Sequence, residues 1–294
     1  MLIAALDAPL TVKSFAEFHA PTTLDEALRI LKEKGATALV LAGGTDVMVR
    51  IRRGLVPAER TTLLGVGRIA ALRGCRRENG EIVIGAATTA SELVRDPVVA
   101  EGAPILARVA DRLASDQIRN VATLGGNVAN ASPAGDLINP LLLLDARLVL
   151  ASHRGRRTVP VETFFTGPGK SVLERDELLV EIRFDVPPRE RVFRFEKAGT
   201  RPAMECSVVT VGVAFTPSPS GLDGVRVAFG SSAPTPLRGR KTEAVLEGRR
   251  ATPETIDRAA RAASEEVSPI SDIRGSERYR RALAGTFVRR LLGD

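Results

Sequence analysis

The spacing of apolar residues divides the chain into alternating helical and extended stretches. Residues 21–34 put Leu24, Ala27, Leu28 and Leu31 on one helical face, with Thr23 as N-cap, Glu26 three positions on in capping-box spacing, and Gly35 as the stop. The run from Ala38 to Leu41 is uniformly apolar, as in a buried strand, and ends at Gly43 and Gly44. Thr61 to Gly65 and Glu81 to Gly85 predict two further strands, and Thr89 predicts a helix start. Ala103 to Arg119 reads as helix and runs into a second glycine turn at Gly125 and Gly126. A helix through Leu141 to Leu144 precedes a strand from Arg147 to Ser152, which turns near His153 to Arg157 and returns over Thr158 to Val161.

The strand Leu178 to Phe184 leads to Pro187 and Pro188, where a double proline marks a boundary. Beyond it, Arg191 to Lys197, Ser207 to Phe215 and Gly224 to Phe229 alternate like strands of an antiparallel sheet. The remainder is mainly helical and closes on an amphipathic helix from Ser276 to Leu292. The pattern predicts an α+β protein of two domains, residues 1–187 and 188–294, which suits a chain of 294 residues.

Charge adds a question. The chain carries 42 basic and 35 acidic residues, a net +7, and only six of the basic residues are lysine, leaving 36 arginines. A basic chain invites a nucleic-acid reading, but the arginines are scattered, none is interleaved with aromatics, and the chain has no Trp and one Tyr. An arginine-rich solvated surface is the better expectation. Cysteine narrows the chemistry further: Cys75 and Cys206 are too few to hold an iron–sulfur cluster or a structural zinc, so any such centre belongs to another chain. No apolar run approaches the length of a membrane span and the first ten residues lack a basic leader segment, so a cytoplasmic, reduced protein is expected.

Four glycine segments are candidate phosphate loops. Gly65-Val-Gly-Arg-Ile-Ala70 has dinucleotide-fold spacing, but Arg73 to Arg77 is a poor crossover helix. Gly167-Pro-Gly-Lys-Ser171 has the end of a P-loop, yet Phe164 stands where its first glycine is needed. The other two share a layout: Leu41-Ala-Gly-Gly-Thr-Asp46 and Thr123-Leu-Gly-Gly-Asn127. Each sets paired glycines and a small polar residue after an apolar approach, so that successive amides can converge on an anion while Thr or Asn adds a side-chain donor. Two such loops can clamp one pyrophosphate; two ordinary tight turns is the plain alternative.

At these residues the chain resembles a known family. Leu41-Ala-Gly-Gly-Thr-Asp-Val47, together with Ala122-Thr-Leu-Gly-Gly-Asn-Val-Ala-Asn-Ala-Ser-Pro-Ala-Gly-Asp136, closely resembles the FAD-binding medium subunit of molybdenum hydroxylases, of carbon monoxide dehydrogenase and xanthine dehydrogenase type. Phe18 to Leu28, Gly167 to Lys170, Asp176 to Ile182, Phe195 to Lys197 and Ser276 to Leu283 resemble further stretches, so the likeness runs from about residue 13 to the end. Residues 1–10 match nothing in the family pattern and are expected to be an unstructured extension.

The resemblance implies an FAD-binding domain of vanillyl-alcohol-oxidase type, built of two α+β subdomains, followed by a C-terminal α+β domain with an antiparallel sheet and helices. It implies that Leu41, Ala42, Gly43, Gly44, Thr45, Asp46 and Val47, and Thr123, Leu124, Gly125, Gly126 and Asn127, bind the cofactor, the backbone of Ala42 to Asp46 and of Leu124 to Asn127 cradling the FAD pyrophosphate and Thr45, Thr123 and Asn127 donating from their side chains. Asp46 and Asp136 would be repelled by phosphate, so they are expected to turn to loop amides, sugar or ribityl hydroxyls or the adenine edge. Leu179 and Lys197 correspond to family positions beside the isoalloxazine, where an apolar side chain excludes water and a cation stabilises reduced flavin. Lys170 is a further loop lysine within possible reach; His19 and His153, each without a histidine neighbour, are expected to be structural or exposed.

The function implied is electron transfer. A large molybdopterin subunit hydroxylates the substrate, a small subunit carries two 2Fe–2S clusters, and this chain's FAD passes electrons to an external acceptor, in a heterotrimer whose own dimerisation is left open. No residue of this chain is assigned a catalytic role, and the cysteine-bearing insertion that some relatives use for a 4Fe–4S cluster is missing. A stand-alone FAD reductase of the same fold would need a proton donor opposite the flavin, and no distinct acid pair or triad is evident. A flavin-free docking scaffold is the rival from another class.

Overall fold

The computed structural model describes residues 15–201 and 206–293. The extension expected at residues 1–10 lies outside the described residues. Near the N-terminus the chain runs β1 (Glu17–His19), α1 (Leu24–Lys34), β2 (Ala38–Leu41), α2 (Val47–Arg52) and β3 (Thr62–Gly65), and the three strands form a small parallel sheet with β3 central. Thr23 caps α1 by accepting the Glu26 amide at 3.3 Å, but only that arm of the expected capping box is made among the described residues; the full reciprocal box forms at Thr89 and Glu92. Helix α1 buries Ala27, Leu28, Ile30 and Leu31 against Leu64 and Val66, and the same cluster takes in Val149 and Val180 of the neighbouring sheet. Strand β2 is half-buried throughout rather than buried, because one side of it opens on a cavity.

The middle of the chain runs β4 (Cys75–Glu78), β5 (Glu81–Gly85), α3 (Ala90–Arg95), α4 (Pro97–Gly102), α5 (Pro104–Asp111), α6 (Asp116–Arg119), α7 (Leu124–Ala129) and α8 (Ile138–Leu143). Then follow β6 (Arg147–Ser152), β7 (Gly155–Pro160), α9 (Val161–Phe164), β8 (Phe165–Gly167), β9 (Lys170–Ser171) and β10 (Leu178–Asp185). Five strands make an antiparallel sheet in the order β4-β5-β10-β6-β7. The helix expected over Ala103 to Arg119 is two helices, because Ala114 takes a positive φ of 44° and Ser115 starts a new one as N-cap of α6. The second glycine turn is likewise the start of α7, with Thr123 accepting the Gly126 amide at 3.0 Å. Gly65 to Ala70 is the end of β3 and a turn, and Gly167 to Lys170 is the β8–β9 hairpin, turned at Gly169 with φ 67°.

The C-terminal sheet comprises β11 (Val192–Ala198), β12 (Val209–Pro217), β13 (Leu222–Gly230) and β14 (Leu237–Arg238), all antiparallel, followed by α10 (Arg240–Leu246), α11 (Pro253–Glu266) and α12 (Glu277–Gly293). Alternation sorts its faces: Val211, Val213, Val227 and Phe229 pack with α10–α12, while Ala214 and Ala228 join the core of the preceding unit. There Asn139 of α8 donates to the Ala228 carbonyl at 3.0 Å, and Gly212 leaves room for it, since a Cβ at 212 would sit 2.2 Å from Asn139 Oδ1. Arg238, its side chain 2% exposed, bonds Asp145 at 2.6 Å and pairs with Glu243. Burial opposes ionisation of Asp145, yet Arg226 and Arg238 together hold its carboxyl below the usual range.

Candidate functional site

A cavity of about 320 Å³ opens beside the C-terminal end of β2, a volume within the usual span of small-molecule sites. It is lined by the Ala42–Val47 loop, by the start of α7 and by the segment from Leu173 to Leu179 that leads into β10, with Ala86 and Ala87 behind. The order of elements explains the location: a parallel strand ends at its carboxyl edge in a glycine loop, where the open end of an α/β layer receives ligands.

Each glycine pair divides its work. The first glycine of each meets protein backbone: a Cβ on Gly43 would lie 1.9 Å from the Val121 carbonyl oxygen, and one on Gly125 would lie 2.6 Å from that of Ala86. The missing side chains therefore bring the two loops and β5 into contact. The second glycines are different. Gly44 holds φ 75°, a conformation that disfavours any side chain, and a Cβ on Gly126 would meet only the Thr123 hydroxyl at 2.7 Å.

The two loops nevertheless differ in what they offer an anion. The amides of Gly43, Gly44, Thr45, Asp46 and Val47 donate to no protein acceptor among the described residues. In the second loop, Leu124 donates to the Thr88 carbonyl at 2.9 Å, Gly125 to Ala86 at 2.8 Å, Gly126 to the Thr123 hydroxyl and Asn127 to the Thr123 carbonyl at 3.0 Å. The amides expected from Leu124 to Asn127 already have protein acceptors, those of Leu124 and Gly125 in the Thr88 and Ala86 carbonyls and those of Gly126 and Asn127 in Thr123 at the start of α7, so the uncommitted groups of the second loop are the Thr123 hydroxyl hydrogen and the Asn127 side-chain amide. Asn127 Oδ1 is buried without a hydrogen-bond partner, and Asn127 lines the cavity. A row of unpaired amides in one cleft fits a bound anionic group such as the diphosphate of a dinucleotide.

Not all expected residues converge here. Ala42 to Val47, Thr123, Gly125, Gly126, Asn127 and Leu179 line the cavity; Leu41, Leu124, Asp136 and Lys197 do not. Leu41 passes its carbonyl to the Val66 amide at 2.9 Å, and Leu124 is fully buried in the core. Asp46 is exposed at the N-cap of α2 and makes no capping bond. Asp136 does not turn to loop amides: its carboxylate takes Lys197 Nζ at 2.7 Å and the Ser207 hydroxyl, so Lys197 is one half of a buried pair rather than a lone cation. Leu179 and Lys197 accordingly belong to different surroundings. His19 lies 2.9 Å from Glu17, His153 lies 3.3 Å from Asp176, and neither these histidines nor the exposed Lys170 lines the cleft.

Sequence reasoning missed the rim from Leu173 to Leu178, the wall from Ala38 to Val40, and Arg50. The rim reads as an ordinary polar connection, and its rigidity comes from distant arginines. Arg157 pairs with Glu177 through two bonds of 2.6 Å, the Glu174 amide donates to Glu177 at 2.9 Å, and Arg154 reaches Glu174 at 2.7 Å. The Arg157 guanidinium, outweighing burial, holds the Glu177 carboxyl below the usual carboxylate range. The two rim carboxylates that line the cavity, Glu174 and Glu177, are thus committed to structure. No group of three or more His, Cys, Asp or Glu that could hold a metal occurs among the described residues, and no helix among them is long and apolar enough to cross a membrane.

Residues 12–187 match the family model of the FAD binding domain in molybdopterin dehydrogenase, and residues 194–294 match that of the CO dehydrogenase flavoprotein C-terminal domain. The chain is 34% identical to the xanthine dehydrogenase FAD-binding subunit of Escherichia coli O157:H7, over 95% of this chain and 96% of that one. It is also 34% identical to the carbon monoxide dehydrogenase medium chain of Hydrogenophaga pseudoflava, over 94% of this chain and 95% of the relative. The solved carbon monoxide dehydrogenase from Hydrogenophaga pseudoflava that lacks the Mo-pyranopterin moiety of its cofactor superposes with a TM-score of 0.91, covering 95% of this chain and 96% of that one.

Proposed function

Because the chain belongs to the family of FAD-binding medium subunits of molybdopterin dehydrogenases, of carbon monoxide dehydrogenase and xanthine dehydrogenase type, we propose that it is the electron relay of such a complex. It would take electrons from the 2Fe–2S clusters of a small subunit, themselves reduced by a large molybdopterin subunit, and deliver them to an external acceptor. The observation that carries the reading is the row of unpaired amides from Gly43 to Val47 in a cleft that Thr123 and Asn127 also line.

When bound, FAD supplies the electron storage and one-electron exchange that no side chain here offers. The chain's own part is to bind and orient. The amides of Gly43 to Val47 hold the pyrophosphate, with the hydroxyls of Thr45 and Thr123 and the side chain of Asn127 as further partners. The apolar wall of Ala38, Val40 and Leu179 excludes water from a ring laid against it. The two domains, which we divide at Pro187 and Pro188, pack together around α8.

Purification of the full chain tests this. Flavin absorbance near about 370 and 450 nm, and co-purification with cluster-bearing and molybdopterin subunits, are expected. A colourless chain that FAD does not reconstitute would overturn the reading, and a flavoprotein that reduces a substrate without partner subunits would point to a stand-alone reductase.

A further inference from the structure

We infer that Arg50 is the counter-charge for the pyrophosphate of the bound dinucleotide, a role that rests on the FAD reading above. Asp46, Val47 and Arg50 follow the three- and four-residue spacing of one helical face and all line the cleft, whereas Arg52 and Arg53 do not. Arg50 follows the free amides of Gly43 to Val47 within a single turn of α2.

The electrostatics of the cleft call for such a group. Its lining contains three carboxylates, Asp46, Glu174 and Glu177, and two guanidinium groups, Arg50 and Arg175. Glu174 and Glu177 are met by Arg154 and Arg157 from outside the lining, which leaves Asp46 as the carboxylate nearest in sequence to the glycine loop and without a partner among the described residues. A diphosphate brings two further negative charges to that loop, where neutral amides alone would have to offset them. Arg50 makes no side-chain hydrogen bond or ion pair among the described residues, although Asp46 stands four positions earlier, the distance at which such pairs form on helices. An exposed guanidinium kept out of an available pair is free for a forked contact with phosphate oxygens.

The test uses full-length apoprotein and the quenching of flavin fluorescence on binding, for wild type, Arg50→Gln, Arg50→Lys and Arg52→Gln, at about 50 and 300 mM NaCl. Arg50→Gln is expected to weaken FAD binding by about tenfold at low salt and to flatten its salt dependence. Arg50→Lys should restore most of the affinity and the salt slope. Arg52→Gln, which removes the same charge from the same helix outside the cleft, should bind like wild type. Riboflavin, which lacks phosphate, should bind wild type and Arg50→Gln alike. Equal affinities for wild type and Arg50→Gln, or equal losses in Arg50→Gln and Arg52→Gln, would overturn the role of Arg50 while leaving FAD binding intact. Failure of wild type itself to bind FAD would overturn the FAD reading as well.

Discussion

Lys197 Nζ lies 2.7 Å from Asp136 Oδ2, and the second oxygen of that carboxylate accepts the hydroxyl of Ser207. The pair joins the segment before α8 to the first strand of the C-terminal sheet, and both side chains are more than nine-tenths buried. A pair so enclosed holds its geometry but costs desolvation on both sides, so deleting one partner is far worse than deleting both. Lys197→Met or Asp136→Leu alone should destabilise the protein by about 3–5 kcal/mol, whereas the double variant Lys197→Met with Asp136→Leu should recover a large part of that loss. Denaturant unfolding of the four proteins checks this; additive losses in the double variant would show that the two side chains are not coupled.

The two glycine pairs make a sharper prediction because their members face different things. Gly43→Ala drives a methyl against the Val121 carbonyl, which is backbone and fixed by the loop contact, so it should lower stability whether or not flavin is present. Gly126→Ala meets only the Thr123 hydroxyl, a side-chain atom that can rotate, so the apoprotein should melt within about 2 °C of wild type. Its cost should show in flavin content, because rotation of Thr123 spends the one hydroxyl the second loop has left. Melting temperature and bound flavin per chain separate the two cases; equal stability losses in both variants would mean that the glycines do not divide their roles.

A third prediction concerns acid. Arg274 above all, helped by its own amide and by Arg280 and opposed by burial, holds the Asp272 carboxyl far below the ordinary carboxylate range. A carboxyl with a depressed folded pKa contributes stability that is fully present above its unfolded value, about 3.9, and that fades as pH falls through the lower folded value. Arg280 is 1% exposed and donates to Asp272 at 2.6 Å and to the carbonyls of Val208 and Ser231, so losing the carboxylate leaves a buried cation under-compensated. Asp272→Asn should therefore melt about 3–8 °C below wild type at pH 7, with the gap narrowing steadily below about pH 4. A gap that stays constant from pH 7 to pH 3 would exclude a charge-based role for Asp272.

What was legible in the chain follows from how local each signal is. The strands β5, β6 and β10 announce themselves as apolar runs because both of their faces are buried, and the helices α1 and α12 by period because each buries one face. The break between α5 and α6 was not legible, since it turns on one alanine in the left-handed region, a residue with no sequence preference for it. The first glycine loop could be read as an anion site because its chemistry lies in consecutive backbone groups. In the second, a Thr-x-Gly-Gly pattern serves a loop or a helix start alike, and that Thr123 uses its oxygen as the N-cap of α7 shows only in the fold. Asp136 and Lys197 could be paired only by folding, being 61 residues apart. The rim carboxylates Glu174 and Glu177 owe their positions to Arg154 and Arg157, which no spacing rule links to them.

The two cysteines provide a last prediction, on reactivity. Cys75 is half-buried at the start of β4, and burial first, then the nearby Asp96 and Glu92 carboxylates, push its thiol up to about 12. At pH 8 only about one part in ten thousand of such a thiol is thiolate, the form that attacks disulfide reagents. Cys206 is exposed. The native chain at pH 8 should therefore release close to one equivalent of thiol to an aromatic disulfide reagent quickly, and the second only after denaturation. Cys206→Ser should remove the fast equivalent and Cys75→Ser the slow one. Two fast equivalents in the native protein would mean that the Cys75 environment opens in solution, and with it the packing of β4 on α4.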